Sequence, residues 1–246
     1  MSTWQPTSAP DGEHLVLGVT WAGRTPELEL ASVTSGRPGR LPLLGGRVGW
    51  RVTRPGRFCT GWYGFVAGVG QRLPCPDRAP AVTSGQCLDC AARDQFRFAH
   101  HGHLGGYVPV ALEPYLAQPH WLYVATFADG VTKVGTAAEG RKQTRLDEQG
   151  PTWATYIALA ENGRLVREAE DLVSRELEVS QHRRRAAKVA AYVHPAPARW
   201  VSSRHHETVA QAKRLVADTV WSGRVHPVAT SGRRPPRWGS CTTSRP

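Results

Sequence analysis

Two β-prone runs, residues 122–127 (LYVATF) and 131–135 (VTKVG), flank Ala128-Asp129-Gly130. An Asp-Gly step between such runs is a strong hairpin signal, because the turn needs backbone angles that Gly adopts without strain. Two antiparallel strands are therefore predicted side by side. Residues 139–149 are polar and suit a short helix, and Pro151 punctuates the chain. Residues 152–160 (TWATYIALA) are β-branched and aromatic early, so a third strand is expected, followed by a turn at Asn162-Gly163. Leu165, Ala169, Leu172, Val173 and Leu177 recur at helical spacing. They predict one helix from about Arg164 to Tyr192, stopped by Pro195 and Pro197. A last helix is expected over 206–220. The second half thus reads β-β-α-β-α with an extra C-terminal helix.

The first half is patterned differently. Residues 14–22, 27–33, 47–54 and 107–112 are short β-prone runs, and 55–106 is rich in Gly and Pro. The expected fold class is α+β: a β-rich, short-strand domain over 13–115, then a small domain over 119–222. Residues 1–12 read as a flexible leader, and 231–246 have the composition of a disordered basic tail.

Cysteines cluster in the Gly/Pro-rich region. Cys87-Leu88-Asp89-Cys90 is a C-x-x-C knuckle, whose two thiolates can reach one tetrahedral ion, and Cys59 and Cys75 can supply two more ligands. A segment this poor in apolar residues needs a staple, and a metal supplies one. The reading is a structural, zinc-ribbon-like Zn²⁺ site with four cysteine ligands and no position open for catalysis. His100, His101 and His103 are competing ligands, and a redox-active C-x-x-C is the alternative, although no βαβ setting accompanies it. Cys241, in the tail, is expected to be a free thiol.

Formal net charge is +11, and Lys occurs at only four positions, so the charge is nearly all Arg. Arg suits phosphate, since its planar guanidinium can grip two oxygens. The N-terminus has neither the apolar core nor the basic head of a signal peptide, and no apolar run approaches a membrane span. A cytoplasmic chain with a DNA or RNA partner is expected, with no membrane partner and no small-molecule cofactor. Oligomeric state is not legible.

In the second half, Leu122-Tyr123-Val124, Lys133-Val134-Gly135, the Arg145-Leu146-Asp147-Glu148-Gln149 segment and Glu170 stand in the order and at about the spacing of the motifs of the GIY-YIG nuclease superfamily, which residues 120–195 resemble. Upstream, Cys59-Thr60-Gly61, Cys75-Pro76 and Gln86 to Cys90 make the whole chain similar to the domain of unknown function 2797 family. The resemblance implies a GIY-YIG-like fold in which Tyr123 handles a proton, Arg145 clamps phosphate and Glu170 holds Mg²⁺ or Mn²⁺. The chain departs from the pattern twice. Lys133 stands where the second-motif Tyr belongs, and Gln149 where a His is expected.

Phosphodiester hydrolysis needs a proton acceptor and positive charge on the phosphoryl oxygens. A divalent ion on a carboxylate can supply the latter. Lys133 could accept a proton if burial beside Arg145 lowered its pKa, or could contact phosphate as a plain cation. Plainer roles stand beside these. Tyr123 could be a core residue, Arg141 and Arg145 a solvated helix face, and Glu168 flanks the apolar helix face about as well as Glu170. Arg141, Arg183, Arg184 and Arg185 are the candidate nucleic-acid contacts. Two functions follow: a divalent-metal-dependent endonuclease, or a zinc-stabilised DNA- or RNA-binding module without GIY-YIG chemistry. A protein-binding scaffold is a third, with nothing specific behind it.

Overall fold

The computed structural model describes residues 12–44, 48–66, 68–82, 85–100, 102–221 and 223–228. The expected leader, the basic tail, His101 and Cys241 lie outside the described residues, apart from Gly12. The fold is mixed α+β with small antiparallel sheets, divided into two compact units, Met1–Leu116 and Ala117–Pro246. No described helix is long and apolar enough to cross a membrane.

In the first unit, β1 (His14–Ala22), β2 (Thr25–Ser32) and β3 (Pro38–Pro42) form an antiparallel meander in that order. A second hairpin joins β4 (Trp62–Val66) to β5 (Val69–Leu73), and α1 (Leu88–Arg93) follows. Residues Phe96–His100, Gly102–Leu104 and Val110–Leu112 are 3₁₀ turns, and α2 (Glu113–Ala117) closes the segment. Phe65, Ala99, Leu112 and Leu116 form a small core, with the Tyr115 ring centroid 5.1 Å from that of Phe65.

Several elements differ from expectation. The described residues of 47–54 form no strand, and Trp50 and Val52 are exposed; β-prone alternation without a neighbouring strand has no ladder to join. The 107–112 run ends in a 3₁₀ turn rather than a strand. Conversely, β3 (PGRLP) has poor β-propensity, yet its register against β2, from Glu27 opposite Pro42 to Ala31 opposite Pro38, holds it.

The second unit is built on a four-stranded antiparallel sheet of order β7-β6-β8-β9. The predicted hairpin is β6 (His120–Thr126) and β7 (Thr132–Ala138), the third strand is β8 (Trp153–Ala160), and β9 (Val225–Pro227) is an unforeseen edge. The turn closes through the Gly130 amide donating to the Phe127 carbonyl, with Gly130 at φ +81°. Helix α3 (Lys142–Gln149) joins β7 to β8, and α4 (Gly163–Glu176) follows β8. Asn162 is a cap rather than a simple turn residue: its side-chain oxygen accepts from the Arg164 and Leu165 amides, each at 3.0 Å.

The single helix predicted from about Arg164 to Tyr192 is two, α4 and α5 (Arg185–Val193). Glu178 takes a left-handed conformation (φ +52°), and Val179 is buried in the core. Ser174 donates its hydroxyl to the Val179 carbonyl at 2.7 Å. The Val134 amide then donates to the Ser180 carbonyl at 3.0 Å, so the break lies along the outer edge of β7. Helix α6 (Ala198–Asp218) is longer than the predicted 206–220.

The two faces of this sheet do different work. Leu122, Val124, Val134, Ile157 and Ala158 pack with Val166, Ala169 and Val173 of α4 and with Val209, Ala212 and Val216 of α6. His205 of α6 is buried on this side, with Nδ1 3.0 Å from Thr126 Oγ1 and Nε2 2.8 Å from Thr155 Oγ1. Burial, then His206, pulls its pKa down to about 4, so the ring stays neutral and serves as a clamp between α6 and the sheet. The other face carries Tyr123, Ala125, Ala137 and Ala154, with Leu146 and Tyr156 packed against them.

Candidate functional site

Two clusters stand out, one in each unit. In the first, Cys59 lies just before β4, Cys75 just after β5, and Cys87 and Cys90 at the start of α1. All four are buried and free of disulfides, and their sulfurs lie within 4.8 Å of one another. Cys75 Sγ and Cys87 Sγ are 4.0 Å apart. Four sulfurs at about 2.3 Å around a tetrahedral ion would be roughly 3.8 Å apart, so the set needs only a small contraction. Among the described residues no histidine joins the group.

Backbone amides converge on these sulfurs. The Gly61 amide donates to Cys59 Sγ and the Cys90 amide to Cys87 Sγ, each at 3.4 Å. Burial pushes the Cys75 thiol up, but the Ala79 and Asp77 amides outweigh it and hold the thiol below its usual range. Such donors favour thiolate, the form that binds metal, whereas burial raises the Cys59 and Cys90 thiols. Gly61 sits at φ +86°, and a Cβ there would lie 1.9 Å from the Leu73 carbonyl oxygen. Only glycine lets the Cys59 loop pass so close to the end of β5. The Gln86 side-chain amide donates to the Gly61 carbonyl at 3.0 Å and to Asp94 at 2.7 Å, bracing the Cys59 loop against the end of α1.

The second cluster lies on the Tyr123 face of the β6–β8 sheet. Tyr123 pairs across the ladder with Gly135, and Lys133 pairs with Ala125, so Tyr123 and Lys133 share a face. The phenol ring lies against Gly135: a Cβ there would be 2.4 Å from the Tyr123 hydroxyl and 2.5 Å from its ring carbon. Gly135 is therefore the floor on which Tyr123 rests.

Tyr123 is fully buried, and its hydroxyl, which the Arg145 side chain approaches, has no hydrogen-bond partner of good geometry among the described residues. Burial raises its pKa, opposed by the charge of Arg145. Lys133 is 5% exposed, and its ammonium sits 5.8 Å from the Tyr123 ring centroid. Burial first, then Arg145, lowers its pKa to about 8; Lys188 and Arg167 add to the effect, and Glu170 opposes it. Lys188, on α5, is likewise lowered to about 8 by burial and then by Arg145. Arg145 is thus the charge that both lysines feel most.

Glu170 is 2% exposed and accepts a hydrogen bond from Arg167 Nη1 at 2.5 Å, an i,i+3 pair on α4. Burial raises its pKa, offset by Arg167 and then Lys133. Tyr123 and Lys133 therefore both feel Arg145 and Glu170, although Glu170 stands on α4, the helix packed on the opposite face of the sheet. Glu168 has no part in these interactions. Gln149, at the end of α3, accepts from Lys188 Nζ at 2.7 Å, and the Tyr192 hydroxyl donates to the Gly150 carbonyl. These contacts dock α5 on the end of α3.

A resident Mg²⁺ or Mn²⁺ does not fit this arrangement. The expected carboxylate, Glu170, is already paired with a guanidinium, and its next charged neighbour is an ammonium. Among the described residues the Tyr123 hydroxyl has no hydrogen-bond partner of good geometry, and the group beside it is the Lys133 ammonium, whose charge attracts an anion and repels a second cation.

The four candidate nucleic-acid arginines divide. Arg183 bonds Asp129 at 2.5 Å, lies over the Phe127 ring at 4.6 Å and has a side chain only 7% exposed. It ties the start of α5 to the hairpin turn and has little to offer a phosphate. Arg141 is half exposed and paired with Glu148, which also lies 3.8 Å from Arg145. Arg184 and Arg185 are exposed, but at the N-terminal cap and first turn of α5 instead of the C-terminal half of a long helix. There the helix dipole adds to their positive field instead of offsetting it.

Arg167 and Lys188 were not foreseen. Arg167 could have been found from its i−3 position relative to Glu170. Lys188 carried a weaker signal: it is one of only four lysines in an arginine-dominated chain. No family model, curated protein or solved structure matches the chain.

Proposed function

We propose that the second unit binds nucleic acid by seating a backbone phosphate against Tyr123, Lys133, Arg145 and Lys188, and that the first unit is held together by a structural zinc ion. The observation that carries the reading is the buried Tyr123 hydroxyl, without a hydrogen-bond partner of good geometry among the described residues, with the Lys133 ammonium 5.8 Å from its ring centroid and the charge of Arg145 acting on both. Leaving a buried hydroxyl unsatisfied costs stability, and a phosphate oxygen would satisfy it while pairing with the Lys133 ammonium. The net charge of +11 and the exposed Arg184 and Arg185 supply the wider field that a polyanion follows. The GIY-YIG resemblance agrees with a phosphate site at this place, with the second-motif Tyr replaced by a cation. Four thiolates braced by backbone amides suit Zn²⁺ as a structural ion.

Fluorescence anisotropy with labelled single- and double-stranded oligonucleotides, read against salt, tests the binding. On duplex DNA the log–log slope is expected near −0.9 per phosphate neutralised. Arg145→Ala and Lys188→Ala should each reduce that slope by about one contact. Salt-independent association, or an unchanged slope in both variants, would refute the reading.

Phosphodiester cleavage is a second reading, favoured by one observation: Lys133, with its pKa near 8, stands beside the Tyr123 phenol. An amine in that range is suited to take a proton from an attacking nucleophile. Incubation with plasmid, single strands and structured RNA, with and without Mg²⁺ or Mn²⁺, separates the readings. Cutting by the wild type that is lost in Lys133→Met supports it, and intact substrates under all conditions exclude it.

A further inference from the structure

The phosphate reading leaves one charged group with no role, Arg167, and its geometry is specific. Its guanidinium occupies the Glu170 carboxylate at 2.5 Å, with side chains 16% and 3% exposed. The pair sits on α4, whose neighbouring Val166, Ala169 and Val173 are buried in the core and fix the helix that carries both side chains. A divalent ion at Glu170 would have to displace the half-buried Arg167 guanidinium and share the carboxylate with the charge of Lys133.

From this we infer that Arg167 stands in for a metal ion: the site takes a phosphate oxyanion without any divalent cation, and Arg167 excludes one by holding Glu170. The inference rests on the phosphate reading of the same pocket. Arg167 is here a positioning residue. It neutralises Glu170, which otherwise would repel the phosphate that Lys133, Arg145 and Lys188 attract. The ligand class is a phosphate mono- or diester that carries no bound metal, and the charge a metal would supply comes from side chains already in place.

Two measurements on the full zinc-loaded chain test this, with Mg²⁺ removed by dialysis; a chelator would strip the four-thiolate site. First, Mn²⁺ is titrated and its free signal followed by electron paramagnetic resonance. The wild type is expected to bind no Mn²⁺ that Glu170→Gln abolishes. Arg167→Met is expected to gain one Mn²⁺, lost again in Arg167→Met/Glu170→Gln. Second, oligonucleotide affinity of the wild type is compared with and without 5 mM Mg²⁺ at constant ionic strength, about 5 mM being chosen to exceed ordinary Mg²⁺ site affinities. Less than a twofold change is expected. Glu170-dependent Mn²⁺ binding by the wild type, a tenfold gain in affinity with Mg²⁺, or a folded Arg167→Met that binds no Mn²⁺ would each overturn the inference. Absence of oligonucleotide binding under all conditions would instead sink the nucleic-acid reading, and the wild-type Mn²⁺ titration would still judge the role of Arg167.

Discussion

Replacing Lys133 by Met should make the unliganded protein more stable while weakening its grip on nucleic acid. The side chain is almost fully buried, and its pKa falls from the ordinary 10.5 to about 8. At about 1.36 kcal/mol per unit, keeping this ammonium charged costs roughly 3 kcal/mol at pH 7. The folded-state value lies below the unfolded one, so the unfolded chain binds the proton more readily. Stability contributed by this group therefore rises as pH climbs between about 8 and 10.5. Methionine fills a similar volume and carries no charge. Lys133→Met should gain up to about 3 kcal/mol at pH 7, less whatever Glu170 loses when its neighbouring cation goes, and only about 1.5 kcal/mol at pH 9.5, where the wild-type lysine is already largely neutral. Urea denaturation of both proteins at the two pH values measures the difference. A variant no more stable than wild type at pH 7, or an advantage that does not shrink at pH 9.5, would refute the reasoning. Saturating oligonucleotide should reverse the order, because the ligand rewards only the wild type.

Other outcomes follow from the same geometry. Gly135→Ala should destabilise the second unit by about 3 kcal/mol, measured by urea denaturation, because its Cβ would meet the Tyr123 ring and hydroxyl at 2.4–2.5 Å in a packed core. Oligonucleotide affinity should fall as pH rises through about 8, since Lys133 and Lys188 then lose their protons, and anisotropy at constant ionic strength reads this directly. Elemental analysis should find about one zinc per chain. Cys87→Ser should release it and unfold the first unit, seen as lost thermal cooperativity.

What the sequence disclosed depended on whether the determining contacts were local. The hairpin was legible because Asp129-Gly130 carries its own turn chemistry, and the cysteine cluster because a C-x-x-C knuckle lets two thiolates reach one ion. Strands β3 and β5 and the edge β9 were not, because PGRLP, VGQRL and VHP become strands only against a partner. The break between α4 and α5 was hidden for a related reason. Residues 177–184 contain no Pro or Gly, and what ends the helix is the burial of Val179 and the pairing of Ser180 with β7. In the candidate site, Tyr123, Lys133 and Arg145 are residues to which the resemblance to GIY-YIG motifs pointed. Arg167 and Lys188 act through pairings visible only in three dimensions, and those pairings recast Glu170 from a candidate metal ligand to one half of an ion pair.

The break along β7 has a further consequence. A helix continued straight from Glu176 would have carried Lys188 about 18 Å past that residue, at 1.5 Å per residue. Folding the chain back through Ser180 returns it to Arg145 and also shields part of an edge strand that would otherwise invite pairing with another chain. The length of this connection thereby sets the charge of the pocket. Changing the length of the 177–184 connection would alter how α5 meets β7, so this segment is a place where the position of Lys188 could be retuned without touching the residues of the Tyr123 cluster.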